Sequence, residues 1–221
     1  MKSYKNFLTE KQIDLDNIVA ELKKYTAMDG EWASGVNLSK LFKDINIKEA
    51  KRIYPEIFNP GKFASNVYLF RGSAKPLSFF KSLGEPDEVI SGDFVKSISD
   101  YYYKLKNPKL LSWNDRKYKH YEKVQSWTTF LNVAQHFADS TSSWNQPPFD
   151  NKTNIPIVLM LNYGKNKNNI FMNPDWITEI SGINEGEVFH KGQTPTVDIS
   201  VVLDDTFRKL YKDFLEKNNV K

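Results

Sequence analysis

Three short segments of this chain carry polar groups where strand packing does not ask for them. The stretch from Asn184 to Val197, "NEGEVFHKGQTPTV", places Glu185 and Glu187 two residues apart ahead of a Val-Phe-His run. If a strand begins at Glu185, both carboxylates project to one side and repel by roughly several tenths of a kcal/mol. Such a pair is either a solvated strand end or catalytic machinery. In "YLFRGS", Arg71 ends an apolar run and is followed by Gly72. A guanidinium there either faces water at a sheet edge or grips a phosphate or carboxylate with parallel hydrogen bonds. In "QSWTTF", Ser126 and Thr128 share one strand face while Trp127 takes the other. Two hydroxyls so placed can orient a carboxylate or a ligand amide.

The elements that must position these groups are legible from periodicity. Residues 8 to 28 read as a helix, with Leu8, Ile13, Ile18, Val19 and Leu22 near helical spacing and Asp29-Gly30 as its stop. "LSKLFKDI" and "IKEAKRIYPEIF" read as two more helices, the latter halted at Asn59-Pro60-Gly61. Beyond residue 62 short apolar runs bounded by turn residues predict strands at 66–72, 124–130, 155–163, 169–172, 187–190 and 196–203. Helices are expected at 76–83, 92–106 and 131–139, with a closing amphipathic helix after Asp204. This order predicts an α+β fold with antiparallel sheet, divided into a helical segment at 1–62 and a main domain at 63–221.

Composition limits the chemistry further. The chain has 221 residues, 40% of them hydrophobic and 14% aromatic, enough for a substantial core. It contains no cysteine, so disulfides and thiolate metal sites are excluded. His120, His136 and His190 lack the spacing of metal-binding helices, and no metal is expected. The formal net charge of +4 permits an anionic partner without requiring one. The start, "MKSYKNFLTEKQIDL", does not read as a secretory leader, and no run is long and apolar enough to span a bilayer. The expectation is a cytoplasmic protein without a membrane partner. No GxGxxG or GxxxxGK[ST] sequence occurs, so a nucleotide must be held in another way.

The order of the three segments is more informative than any one of them. Arg71 in "LFRG", the triplet in "SWTT" and the glutamates of "EGEVFHKGQTPTV" resemble the mono-ADP-ribosyltransferases of the arginine-serine-glutamate, cholera-toxin-like class. "IPIVLMLNYGKNKNNIFMNP" resembles the same family's strand, lysine-glycine turn and short aromatic strand, so the likeness covers about residues 66 to 203. The chain departs from the pattern in having Trp127 at the centre of the triplet and Thr128 as its third residue. In some relatives the loop after the following helix supplies an aromatic and an arginine. Here "TSSWNQPPFDNKTN" offers Trp144 and Phe149 but no arginine.

The resemblance implies a split β-sandwich of two antiparallel sheets around a cleft for NAD, with transfer of ADP-ribose to a nucleophile and release of nicotinamide. Breaking a carbon–nitrogen glycosidic bond builds positive charge on the ribose, which a carboxylate stabilises. By carry-over Glu187 is that carboxylate, Ser126 orients it, Thr128 supports the nicotinamide pocket and Arg71 clamps the phosphates, with Gly72 and Trp127 beside the cofactor. Glu185 faces the acceptor and orients or deprotonates it. In the family the loop "PDWITEISGIN" reads the target, making Trp176 and Ile183 candidate acceptor contacts, although Trp176 could equally be core. A glutamate at the first position of Glu-x-Glu goes, in the family, with arginine acceptors, so a protein arginine is the expected target. The physiological role implied is that of a bacterial toxin, a phage-encoded modifier or a defence effector, with an antitoxin or chaperone as a conceivable partner.

A second partner class comes from residues 101–124. Lys104, Lys106, Lys109, Arg116, Lys117, Lys119 and Lys123 alternate there with Tyr101, Tyr102, Tyr103, Trp113, Tyr118 and Tyr121. Cations beside stacking rings suit single-stranded nucleic acid. The competing reading is an amphipathic helical excursion whose rings pack on the sheet. RNA or DNA thus stands as an alternative acceptor, and a catalytically silent nucleic-acid-binding module as an alternative function.

Overall fold

The computed structural model describes residues 13–26, 38–91, 109–119, 123–142, 154–192 and 194–202, together with Glu216. The helix expected at 92–106 and, apart from Glu216, the one expected after Asp204 lie outside the described residues, as do Trp144, Phe149 and Tyr101 to Tyr103.

Four helices come first: α1 (Leu15–Thr26), α2 (Leu38–Leu41), α3 (Ile47–Ile53) and α4 (Pro55–Phe58). The Asn46 side chain caps α3 by accepting from the Glu49 N–H, and Pro55 opens α4 where a missing N–H costs nothing. Then follow β1 (Tyr68–Pro76), α5 (Leu77–Leu83), β2 (Glu88–Ser91), β3 (Lys109–Lys117), β4 (Val124–Thr128) and α6 (Leu131–Ser142). The remainder is β5 (Asn154–Asn162), α7 (Tyr163–Asn166), β6 (Ile170–Phe171), α8 (Pro174–Ser181), β7 (Glu187–Lys191) and β8 (Thr196–Val202).

Among the described residues the strands form one eight-stranded sheet in the order β2-β3-β8-β5-β1-β4-β7-β6. Every pairing is antiparallel. The α+β class expected from element order is therefore present. The two separate sheets of the expected sandwich are instead one continuous sheet with a weak seam. β1 pairs with β5 along its whole length from Tyr68↔Asn162 to Pro76↔Asn154, whereas β1 and β4 share a single register pair, Phe70↔Thr128.

Two strands, β2 and β3, stand where sequence periodicity predicts none. In β3 the buried run Leu110, Leu111, Ser112, Trp113 breaks the period-2 pattern, and the register with β8 shifts between Trp113 and Arg116. Asp115 takes a left-handed conformation (φ 51°) in that bulge and its N–H donates to Asp198. Residues 109–117 are thus not a helical excursion. Trp113 is fully buried against Phe80, and Tyr118 is buried beside Phe79. Neither ring is open to stack on a base.

The core has two parts. One cluster lies on a single face across both halves of the sheet and joins Leu69, Leu159, Leu161, Trp127, Val188, Ile170 and Ile199 under Phe80 and Trp113. The other packs Ile18, Leu22, Ala50 and Phe58 of the first four helices, with Phe42 just after α2, against Val124, Phe171, Phe189 and Ile177. The described helices within residues 1–62 therefore share a core with β4, β6, β7 and α8. None of the described helices is long and apolar enough to cross a membrane.

Helix α6 lies directly on β1. A Cβ at Gly72 would fall inside the contact radii of the Ala134 carbonyl oxygen and the Ala138 nitrogen, both main-chain atoms that cannot swing aside. Gly72 is thus the docking point of α6. Gly72→Ala should lower stability by about 1–3 kcal/mol or more through overpacking, read as a lowered urea midpoint. An unchanged midpoint would mean that α6 does not sit on β1.

His190 supplies a second check. Its imidazole is 2% exposed with Nδ1 3.2 Å from Gln125 Oε1, and burial pulls its pKa down from 6.5 to about 4. The folded state therefore keeps His190 neutral where the unfolded chain takes up a proton. Stability is full above 6.5 and falls by up to about 1.4 kcal/mol per pH unit as pH drops from 6.5 towards 4. His190→Gln should flatten that fall in melting temperature between pH 7 and 5; an unaltered slope would assign the acid sensitivity to other groups.

Candidate functional site

The site forms where β4 leaves β1. Ser126 and Thr128 share a face of β4, and the register Thr128↔Glu187 puts Glu187 of β7 on that same face. The Ser126 hydroxyl donates to Glu187 Oε1. Glu187 is only 6% exposed, so the hydroxyl replaces water that burial has removed from the carboxylate. Arg71 Nη1 donates to the Ser126 carbonyl at 2.5 Å. Three residues separated widely in sequence thus form one connected group: guanidinium, serine main chain, serine hydroxyl, carboxylate.

The two glutamates occupy different environments. β7 begins at Glu187, while Glu185 lies in the irregular stretch before it, and Gly186 between them has φ +58°. The expectation that a common strand places both carboxylates on one side therefore fails. Gly186 also meets a steric limit, since a Cβ there would run into the Thr129 hydroxyl and approach the Phe130 ring at 3.1 Å. The Thr128 hydroxyl donates to the Glu185 carbonyl and accepts from the Phe130 N–H at 2.9 Å, and the Thr129 N–H donates to the Gly186 carbonyl at 3.0 Å. Thr128 thereby holds the Glu-Gly-Glu loop against the end of β4.

Burial raises the pKa of the half-buried Glu185 carboxyl, and the nearby His136 of α6 opposes the rise. Mutual repulsion with Glu187 is not the cause. His136 is a residue that sequence reasoning missed. Its spacing suits no metal, and only the docking of α6 on Gly72 brings it towards the loop.

The remaining expected residues divide. Trp127 is 1% exposed and belongs to the core cluster on the opposite face from Ser126. Trp176 lies on α8, partly buried against the cluster beneath the first four helices. Ile183, in the loop just ahead of Glu185, is 49% exposed, and Phe130 beside Gly186 is 39% exposed. Of the two expected acceptor contacts, Ile183 is the one open to solvent at the site.

Chemically, the arrangement offers a buried carboxylate fixed by a hydroxyl, a guanidinium with one donor engaged on main chain, and a second carboxylate with raised proton affinity. Such a set suits an anionic ligand whose reacting carbon gains positive charge and whose acceptor must lose a proton. Comparison with protein-family models, with curated proteins and with solved structures finds no match.

If Glu185 serves as a base, its raised pKa moves the acid limb of the pH–rate profile above the ordinary carboxylate value of 4.5. Below that limb Glu185 is protonated and cannot accept a proton. His136→Ala removes the opposing charge and should shift the limb to higher pH. A limb that stays in place would separate His136 from Glu185.

Proposed function

We propose that this chain is an NAD-dependent mono-ADP-ribosyltransferase whose acceptor is a protein arginine. The observation that carries the reading is the contact of Ser126 with the buried Glu187 beside Arg71, which joins the three segments singled out by their order in the sequence. The single-pair seam between β1 and β4 supports it as well, because Arg71 reaches across it to Ser126.

NAD supplies the glycosidic carbon–nitrogen bond that breaks and nicotinamide as the leaving group. The chain's own residues hold and orient. Arg71 keeps donors for the pyrophosphate while one of them steadies the Ser126 carbonyl. Glu187, held by Ser126, presents negative charge to the ribose where positive charge develops. Glu185 sits outside β7 on a loop fixed by Thr128 and takes the proton that the acceptor nitrogen loses as the new carbon–nitrogen bond forms. The low water content around a 6%-exposed carboxylate strengthens that charge stabilisation.

Nucleic acid remains the competing acceptor, but Trp113 and Tyr118 are in the core and do not contribute to a stacking surface. The test is incubation of the protein with labelled NAD and a bacterial lysate, followed by separate protease and nuclease digestion. Label should be lost to protease; loss to nuclease alone would move the acceptor to RNA or DNA. Glu187→Gln should reduce nicotinamide release by about 100-fold or more without lowering the melting temperature. Full release by that variant would remove Glu187 from the mechanism, and no release by the wild type would favour the silent binding module.

A further inference from the structure

The helices ahead of β1 have no part in the chemistry described so far, yet α2 and the turn after it touch both strands that carry it. The Ser39 hydroxyl on α2 accepts from the N–H groups of Lys123 and Val124, at 2.9 and 3.0 Å, where β4 begins. Lys191, the last residue of β7, donates from Nζ to the carbonyls of Phe42, Lys43 and Ile45 at 3.0, 3.3 and 2.9 Å. A cation on the carbonyls of Phe42, Lys43 and Ile45 secures the turn that follows α2. Val124 and Lys191 are partners in the β4–β7 ladder, so both contacts meet at one register position. The fully buried Phe42 ring fits between the two, 5.0 Å from Phe171 of β6 and 5.5 Å from Phe189 of β7.

That register position matters because the ladder is short. β4 and β7 have five residues each, β6 has two, and β4 touches β1 at one pair. A slip of one residue would turn Glu187 to the opposite face and away from Ser126. We propose that α2 is a register brace for the site, with Lys191 as a positioning residue that acts through β7 on Glu187 and Ser39 as its counterpart on β4. The brace clamps the far end of the same five-pair ladder that presents the carboxylate, while Thr128 and Thr129 clamp the near end.

The proposal rests on the transferase reading, so its test uses one readout with activity and one without. In the full chain, Lys191→Met should lower kcat for nicotinamide release about ten- to a hundredfold while KM for NAD stays within about twofold, the pattern of a misplaced reacting group. Lys191→Arg, which keeps the donors, should recover most of that loss. Amide hydrogen exchange should quicken at residues 124–128 and 187–191 in Lys191→Met and also in Ser39→Ala, with the other strands protected as in the wild type. A folded Lys191→Met with wild-type kcat overturns the positioning role, and unchanged protection overturns the brace itself. If the wild type releases no nicotinamide, the enzymatic reading fails, and the exchange data alone then uphold or overturn the brace.

Discussion

The site depends on an interruption in hydrogen bonding. An antiparallel sheet would normally continue its ladder from β1 to β4 as it does from β1 to β5, but here the two strands meet only at Phe70↔Thr128. The seam leaves the Ser126 carbonyl to Arg71, and a guanidinium gains more from a main-chain acceptor in a partly buried setting than from water. Charge is thereby drawn to the seam between β1 and β4. The carboxylate lies on the next strand over, fixed by the hydroxyl of the same serine.

Everything around the seam sets angles and distances at this point. Gly72 lets α6 settle onto the main chain of β1, which in turn carries His136 towards Glu185. Gly186 adopts a left-handed conformation, so the chain turns between the two glutamates instead of running straight through them. The result is two carboxylates in separate environments. Glu187 is held within the ladder and shielded, whereas Glu185 belongs to a loop whose position Thr128 fixes. A pair of acids on one regular strand face would have shared one environment and could not have been tuned apart in this way.

Much of this was legible in residue order, and the exceptions have physical causes. The strands bearing Arg71, Ser126 and Glu187 showed themselves through alternation and turn residues, and the facing of Ser126 and Thr128 followed from a period of two. β3 stayed hidden because a bulge at Asp115 breaks its alternation and its flanking lysines read as a charged excursion. The packing of Trp127 and Gly72 was not legible because sequence cannot say which face of a strand another element will cover. Here a core covers Trp127 and a helix covers Gly72. His136 and Lys191 were invisible for a related reason, since both act over contacts between elements far apart in the chain.

The central claim is that Arg71, Ser126 and Glu187, at the seam between β1 and β4, receive NAD. It is tested most directly by NMR of the full chain carrying ¹³C-carboxyl glutamate and ¹⁵N-guanidinium arginine, titrated with NAD and assigned through Glu187→Gln and Arg71→Lys. The account predicts saturable shifts at the Glu187 carboxyl and the Arg71 guanidinium, with the Ser126 amide moving in step. Saturable shifts confined to other residues, or no shifts at millimolar NAD, would contradict it.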